Sequence, residues 1–256
     1  MTSAIGHTNL VKTATISATS EETDMPATQV AGDLGAESMG WQTLAGVTSA
    51  TLTITMATAG SYVSAIGIFR TNLSATVQTA ITVTYSGGPV YYNVFTGVAA
   101  GYGQVVALMG SPTLCDSITI AIVDNSNTDT FLNVPLAFAG PIFEPTYPIG
   151  RDATYGRQTA IAETVSRGGS EFPRLLHDKR FYKFQIIATD AEAWESVAEI
   201  DRLARLGTNV LLVPETTSDY LQKEAIYGRL KETLDVNFSL GAVKTRSWGG
   251  MVTERI

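Results

Sequence analysis

"TLTITM" (Thr51–Met56) alternates apolar and hydroxyl side chains. That period of two belongs to a half-buried strand, and β-branched residues fit its pleated surface. The same reading extends outward to "VSAIGIFR" (Val63–Arg70), "ATVQTAITVTYS" (Ala75–Ser86), "QVVALM" (Gln104–Met109), "SITIAIVD" (Ser117–Asp124) and "LNVPLAFAG" (Leu132–Gly140). Between them, "SGGPV" (Ser86–Val90), "MGSP" (Met109–Pro112) and "DNSNTD" (Asp124–Asp129) are expected turns, since Gly tolerates positive φ and Asn or Asp bond their own backbone. Many short strands with frequent turns predict a sandwich or jelly roll over residues 1–145.

Three prolines and two glycines in "GPIFEPTYPIGRD" (Gly140–Asp152) place a domain junction there, with a second domain over 146–256. Charge changes at the same point. Up to Ile149 there are two cations, Lys12 and Arg70, against nine acids; from Gly150 onward each sign numbers 15, so the whole net charge of −7 lies in the first part. "RGGSEFPR" (Arg167–Arg174) reads as a loop or arm. "YGRQTAIAETVS" (Tyr155–Ser166), "RFYKFQIIAT" (Arg180–Thr189), "NVLLVPE" (Asn209–Glu215), "AIYGRL" (Ala225–Leu230) and "LDVNFSL" (Leu234–Leu240) read as strands, with a last one around Met251–Glu254.

One good helix interrupts them, "TDAEAWESVAEIDRLARLG" (Thr189–Gly207), expected over about 190–206. Thr189 and Glu192 form a capping box, acids crowd the first turn, Arg202 and Arg205 the last, and Gly207 supplies the stop. Trp194, Val197, Ile200 and Leu203 fall on the face predicted to pack inward.

Only 16% of residues are charged, so the surface must be covered by Thr, Ser, Gly and Asn, which suits contact with neighbouring subunits. A net charge of −7 argues against nucleic acid. Cys115 is the single cysteine, expected in the core, so no intrachain disulfide or cysteine metal cluster can form. No signal peptide and no run of about 18 apolar residues is present, so neither export by the standard route nor membrane insertion is expected.

No catalytic constellation emerges. His177 is adjacent to Asp178, which cannot orient it toward Ser170 as a triad requires. Asp124, Asn127 and Asp129 lack the central Gly and distal Glu of a calcium loop and read as a hairpin turn. Glu21, Glu22 and Asp24 read as a solvated loop. The sequon Asn72–Ser74 carries no weight without export, and "GYGQ" and "RGGS" have no phosphate-binding context. A binding or structural protein without cofactor or metal is therefore expected rather than an enzyme.

Two stretches carry a resemblance. "MPATQVAGDLGAESMGWQT…TLTITM…SYVSAIGIFRTNLS" (Met25–Ser74) resembles the galactose-binding-like, discoidin-type jelly roll. "RFYKFQIIATDAEAWESVAEIDRLARLGTNVLLVPE…IYGRL…WGGMVTERI" (Arg180–Ile256) looks like the small β-barrel with one flanking helix of distal tail and tail-tip proteins of tailed bacteriophages and gene-transfer agents. The resemblance implies a mainly β protein with an N-terminal jelly-roll sandwich and a C-terminal small β-barrel-like domain with one flanking α-helix. It implies a virion structural protein, a homo-oligomeric ring (trimer or hexamer) joining tail tube to baseplate hub or fibres, assembled in the host bacterial cytoplasm. The jelly roll also implies an alternative, a carbohydrate-binding module that recognises a host cell-surface glycan. Tyr91, Tyr92, Asn93, Tyr102 and Gln104 could then supply stacking and hydrogen bonds, or else be packed strand residues or a subunit contact.

Overall fold

In the computed structural model, which describes residues 2–98, 102–149, 153–165, 171–231, 237–238 and 245–255, the period-two segments are strands. In chain order these are β1 (Ala4–Gly6), β2 (Thr15–Ala18), β3 (Trp41–Gln42), β4 (Ser49–Thr55), β5 (Ser61–Phe69), β6 (Gln78–Tyr85), β7 (Gly88–Thr96), β8 (Val105–Cys115), β9 (Ser117–Val123), β10 (Asn133–Val134) and β11 (Leu136–Gly140). Then follow β12 (Thr154–Val165), β13 (Glu171–Thr189), β14 (Asn209–Val213), β15 (Ile226–Lys231), β16 (Asn237–Phe238) and β17 (Thr245–Glu254). The protein is mainly β, with a jelly-roll-like sandwich and one long helix.

The chain groups into two units, Met1–Glu144 with Leu211–Ala225, and Pro145–Val210 with Ile226–Ile256. In the first, a five-stranded antiparallel sheet ordered β2-β4-β9-β6-β7 belongs to the same core as a three-stranded sheet ordered β11-β5-β8. Register aligns the apolar positions: Leu52 opposes Ile120, which opposes Ile81, and Ile54 opposes Ile118, which opposes Val83. All six are fully buried, each removing on the order of 1.5–3 kcal/mol of apolar surface cost from water.

The expected turn at Met109–Pro112 is corrected: those residues lie inside β8, where the pairing with β5 jumps from Val63–Thr113 to Ala65–Leu108. Gly and Pro mark a bulge here, because the neighbouring strand needs no amide from Pro112. Asp116 ties two turns together. Its carboxylate accepts from the Gly60 amide (2.8 Å) and the Ser86 amide (2.8 Å). Beside it, burial and the Asp116 charge push the Cys115 thiol up to about 12. Cys115 belongs to the core, as expected.

Leu211–Ala225, expected in the second domain, belongs to the first unit. Apolar Leu211–Val213 pair antiparallel with Ala4–Gly6, and Gly6 is required because a Cβ there would meet Phe138 at 2.5 Å. The Gln222 side-chain amide continues the tie, accepting from the Val106 amide (2.8 Å) and donating to the Val106 carbonyl (2.7 Å).

In the second unit the strand order is β15-β17-β13-β12, and β16 also pairs with β17. Arg167–Ser170 of the expected arm lie outside the described residues, but Glu171–Arg174 are strand, not loop. Pro173 is tolerated because it opposes Glu163 on a stretch of β13 that has no second strand neighbour among the described residues. Of the expected strand Leu234–Leu240, only Asn237 and Phe238 are described, and they pair with Ser247 and Arg246.

The helix runs α-helical over Asp190–Glu192, as a π turn over Ala193–Val197, and α-helical again over Ala198–Arg205. The capping box is present: Thr189 Oγ1 accepts from the Glu192 amide and the Glu192 carboxylate accepts from the Thr189 amide (2.7 Å). Ala193, Val197, Ile200 and Ala204 are buried and Leu203 half-buried. Trp194 is a correction, since it is 66% exposed. Spacings of four, three and four make a narrow stripe from Ala193 to Ala204, and Trp194 stands one step of about 100° off it. Its ring instead lies 4.7 Å from the Arg246 guanidinium, which also donates to Asp190 (2.7 Å). Arg180 of β13 and Glu254 of β17 form a buried ion pair, 3% and 5% exposed, at 2.6 Å.

Candidate functional site

One end of the sandwich is built from the turns that follow β5 and β9 and precede β3 and β11. Asn72 organises it. Its side-chain amide donates to Asp129 (3.0 Å) and to the Phe131 carbonyl (2.9 Å), and its Oδ1 accepts from the Asn133 amide (2.8 Å). Two loops distant in sequence are thus closed by one residue, which explains an amide rather than a charge at this position. Next to it, Asp124, 1% exposed, accepts from the Ser74 amide (2.7 Å) and Oγ (2.5 Å). Asn127 Oδ1 accepts from the Asp129 amide (2.9 Å), and its Nδ2 donates to the Asn72 carbonyl (3.3 Å). The "DNSNTD" segment is therefore a loop latched by its own Asx side chains. Among the described residues no group of three or more His, Cys, Asp or Glu could hold a metal ion.

These loops enclose a cleft of about 280 Å³, the low end of small-molecule sites. Phe131 and Met25 form its apolar part, and Glu37, Asp129, Asn72 and Asn133 its polar part, with Ser38 and Gln42 completing the wall. None of these eight is cationic. Asn133 is 2% exposed; its Nδ2 donates to the Glu37 carbonyl (3.0 Å), while its Oδ1 is a buried acceptor with no hydrogen-bond partner. Unsatisfied buried groups are uncommon and concentrate where a water or ligand completes them. Most of the surface that the cleft exposes is apolar, with the carboxylates of Glu37 and Asp129 beside a half-buried aromatic ring.

The five residues singled out from the sequence are not in this cleft. Tyr91, Tyr92 and Asn93 lie in β7, the end strand of the five-stranded sheet; Tyr91 packs on the core, Tyr92 is 65% exposed and Asn93 is exposed. Tyr102 is half-buried before β8. Gln104 is 1% exposed, its Nε2 donating to the carbonyls of Gln222 (2.6 Å) and Ala225 (2.9 Å). Of the other candidates, Glu21 accepts from the Ala27 amide (2.9 Å), and Asp178 is held by Arg157 and Thr159. The signal that could have found the cleft was the pairing of "TNLS" after one strand with "TDTFLN" after another, Asn and Asp beside one aromatic.

No protein-family model matches the chain, and no curated protein matches it. Solved structures do resemble part of it. The family 32 carbohydrate-binding module of C. perfringens NanJ, in complex with galactose, is 21% identical, with 53% of this chain and 98% of that one covered and a TM-score of 0.41. A fucose-binding module of Streptococcus pneumoniae is 10% identical, covering 52% and 95%, with a TM-score of 0.42. A chitosan-binding module from a Paenibacillus chitosanase/glucanase is 13% identical, covering 53% and 100%, with a TM-score of 0.41. Likeness at this level assigns no ligand.

Proposed function

We propose that the first unit is a galactose-binding-like module that binds a neutral sugar in the cleft around Phe131. The observation that carries this is the juxtaposition of two carboxylates, Glu37 and Asp129, with one aromatic ring in a mainly apolar cleft lined by no cation. A sugar offers what such a wall needs: hydroxyls that donate to carboxylates and amides, and a C–H face that lies on a ring. An anionic ligand would meet two carboxylates and is disfavoured. The cleft acts by binding without turnover. Its low volume suits the end of a glycan chain rather than its middle.

The test is a glycan array probed with the whole chain, followed by titration of the best glycan. Saturable binding should weaken about tenfold in Phe131→Ala, equivalent to about 1.4 kcal/mol, with the melting temperature unchanged. Silence across the array, or a Phe131→Ala variant that binds like the parent, would sink the reading.

A second reading is a structural part of a tailed-phage tail tip, assembled in a host cytoplasm and joined to tube, hub or fibres. It is supported by the resemblance of Arg180–Ile256 and by an exposed strand ribbon in the second unit. Host-surface glycan binding by the sandwich would be compatible with that role in attachment.

A further inference from the structure

β12 ends the strand order of its sheet, so its outer edge is unpaired among the described residues. β13 pairs with β12 over Glu171–Lys183, whereas β17 pairs with β13 only from Phe181 onward. Beyond that point the two strands form a two-stranded ribbon. Among its described residues none is buried on either face, from Thr154 to Thr164 or from Glu171 to Lys179. It nevertheless carries Ile161, opposite Leu175 in register, with Leu176 beside it at the β-bulge, exposed by 54%, 61% and 58%. A two-stranded ribbon is at best marginal in water, and an open strand edge with apolar side chains is a template for another strand.

The identity of that strand is written in β12. Its charged residues are Arg157 and Glu163, three positions either side of Ala160. We infer that β12 pairs antiparallel with β12 of a second copy of this chain, about a two-fold axis at Ala160. In that register Arg157 opposes Glu163 of the second copy, and the reverse, so both charges are matched twice by one operation. Thr159 opposes Ile161, Gln158 opposes Ala162, and Ala160 opposes itself. Directly opposed residues share a face, so Arg157, Thr159, Ile161 and Glu163 of both copies line one side together. Arg157 also bonds Asp178, and five guanidinium donors serve both carboxylates. The two edges are self-complementary, as a two-fold interface requires. A ring would need a different, heterologous contact. The pairing stands apart from the cleft and holds or fails independently of glycan binding.

The register is testable with single cysteines in the full chain, since Cys115 is fully buried. Opposed Cα atoms in an antiparallel pair lie about 4.5–5.5 Å apart, within disulfide reach. Ala160→Cys should therefore give a covalent dimer under mild oxidation, whereas Ile161→Cys, opposite Thr159, should not. Sedimentation velocity of the unmodified chain should show two copies of 27.2 kDa, and Glu163→Arg should shift it to monomer. Arg157→Glu combined with Glu163→Arg should restore the dimer. A monomer at tens of micromolar overturns the inference. So does a dimer in which Ile161→Cys cross-links as readily as Ala160→Cys, because the register would then be wrong.

Discussion

The sandwich and the β12–β13 ribbon are both antiparallel β-structure, yet the first buries an unbroken apolar face and the second buries nothing among its described residues. Alternation in sequence makes a strand in both places. What differs is the number of neighbours. Ile120 has a buried strand residue on each side, whereas among the described residues Ile161 pairs with Leu175 alone. A strand is thus a local property, and a core is a property of stacking. Beyond the ribbon, the second unit also buries apolar side chains, Phe184, Ile186, Trp248 and Val252 among them, and adds polar ties: a buried ion pair where β13 leaves the ribbon, a capped helix, and an arginine clamped between Asp190 and Trp194.

Breaking the ion pair should have the largest effect. Glu254→Ala removes the carboxylate paired with a buried Arg180, and should destabilise by about 3–5 kcal/mol in chemical denaturation. A loss under 1 kcal/mol would mean that the pair is solvated.

Trp194→Ala should cost far less than a core truncation. The ring's contact with Arg246 is lost, about 0.5–1 kcal/mol by the same denaturation measurement. A loss of about 3 kcal/mol or more would restore the inward-packing expectation.

The smallest effect concerns acid. Partial burial raises the Glu192 carboxyl, but four hydrogen bonds from Thr189 and Thr146 outweigh it and hold the pKa below the usual range. A depressed folded-state pKa adds stability that is present above the unfolded carboxylate range and is lost as pH falls through the folded value. Between pH 7 and pH 3 the parent should lose more stability than Glu192→Gln, by a small margin because the group is partly solvated. Equal losses in urea titrations would show that the cap does not distinguish ionised from neutral Glu192.

Much of the fold was legible because it is written in short-range pattern. Period two in "TLTITM" and "SITIAIVD" became β4 and β9, and the Thr189–Glu192 box became the helix start with both of its hydrogen bonds. The errors share a cause. "MGSP" has turn chemistry, but a neighbouring strand drew it into β8 as a bulge. Trp194 has the hydrophobicity of a core residue, but a stripe of small and β-branched side chains took the inward face. Gln104 and Tyr92 look alike as polar or amphipathic surface residues; one is sealed by two backbone carbonyls and the other stands in solvent. The cleft was missed because Glu37, Asn72 and Asp129 are far apart in the chain and each alone resembles an ordinary loop residue.

The sequence by itself determined many of the strands, where the helix begins and stops, that Cys115 is a core residue, and that the first part carries the net negative charge. Those properties follow from local periodicity, backbone preference and composition. Only the tertiary structure decided that Asn72 closes two distant loops around Phe131, that Leu211–Val213 joins β1, that Arg180 meets Glu254, and that β12 is left with an open edge. Each depends on which strands become neighbours, a choice set by the burial of whole faces and not readable from any single stretch.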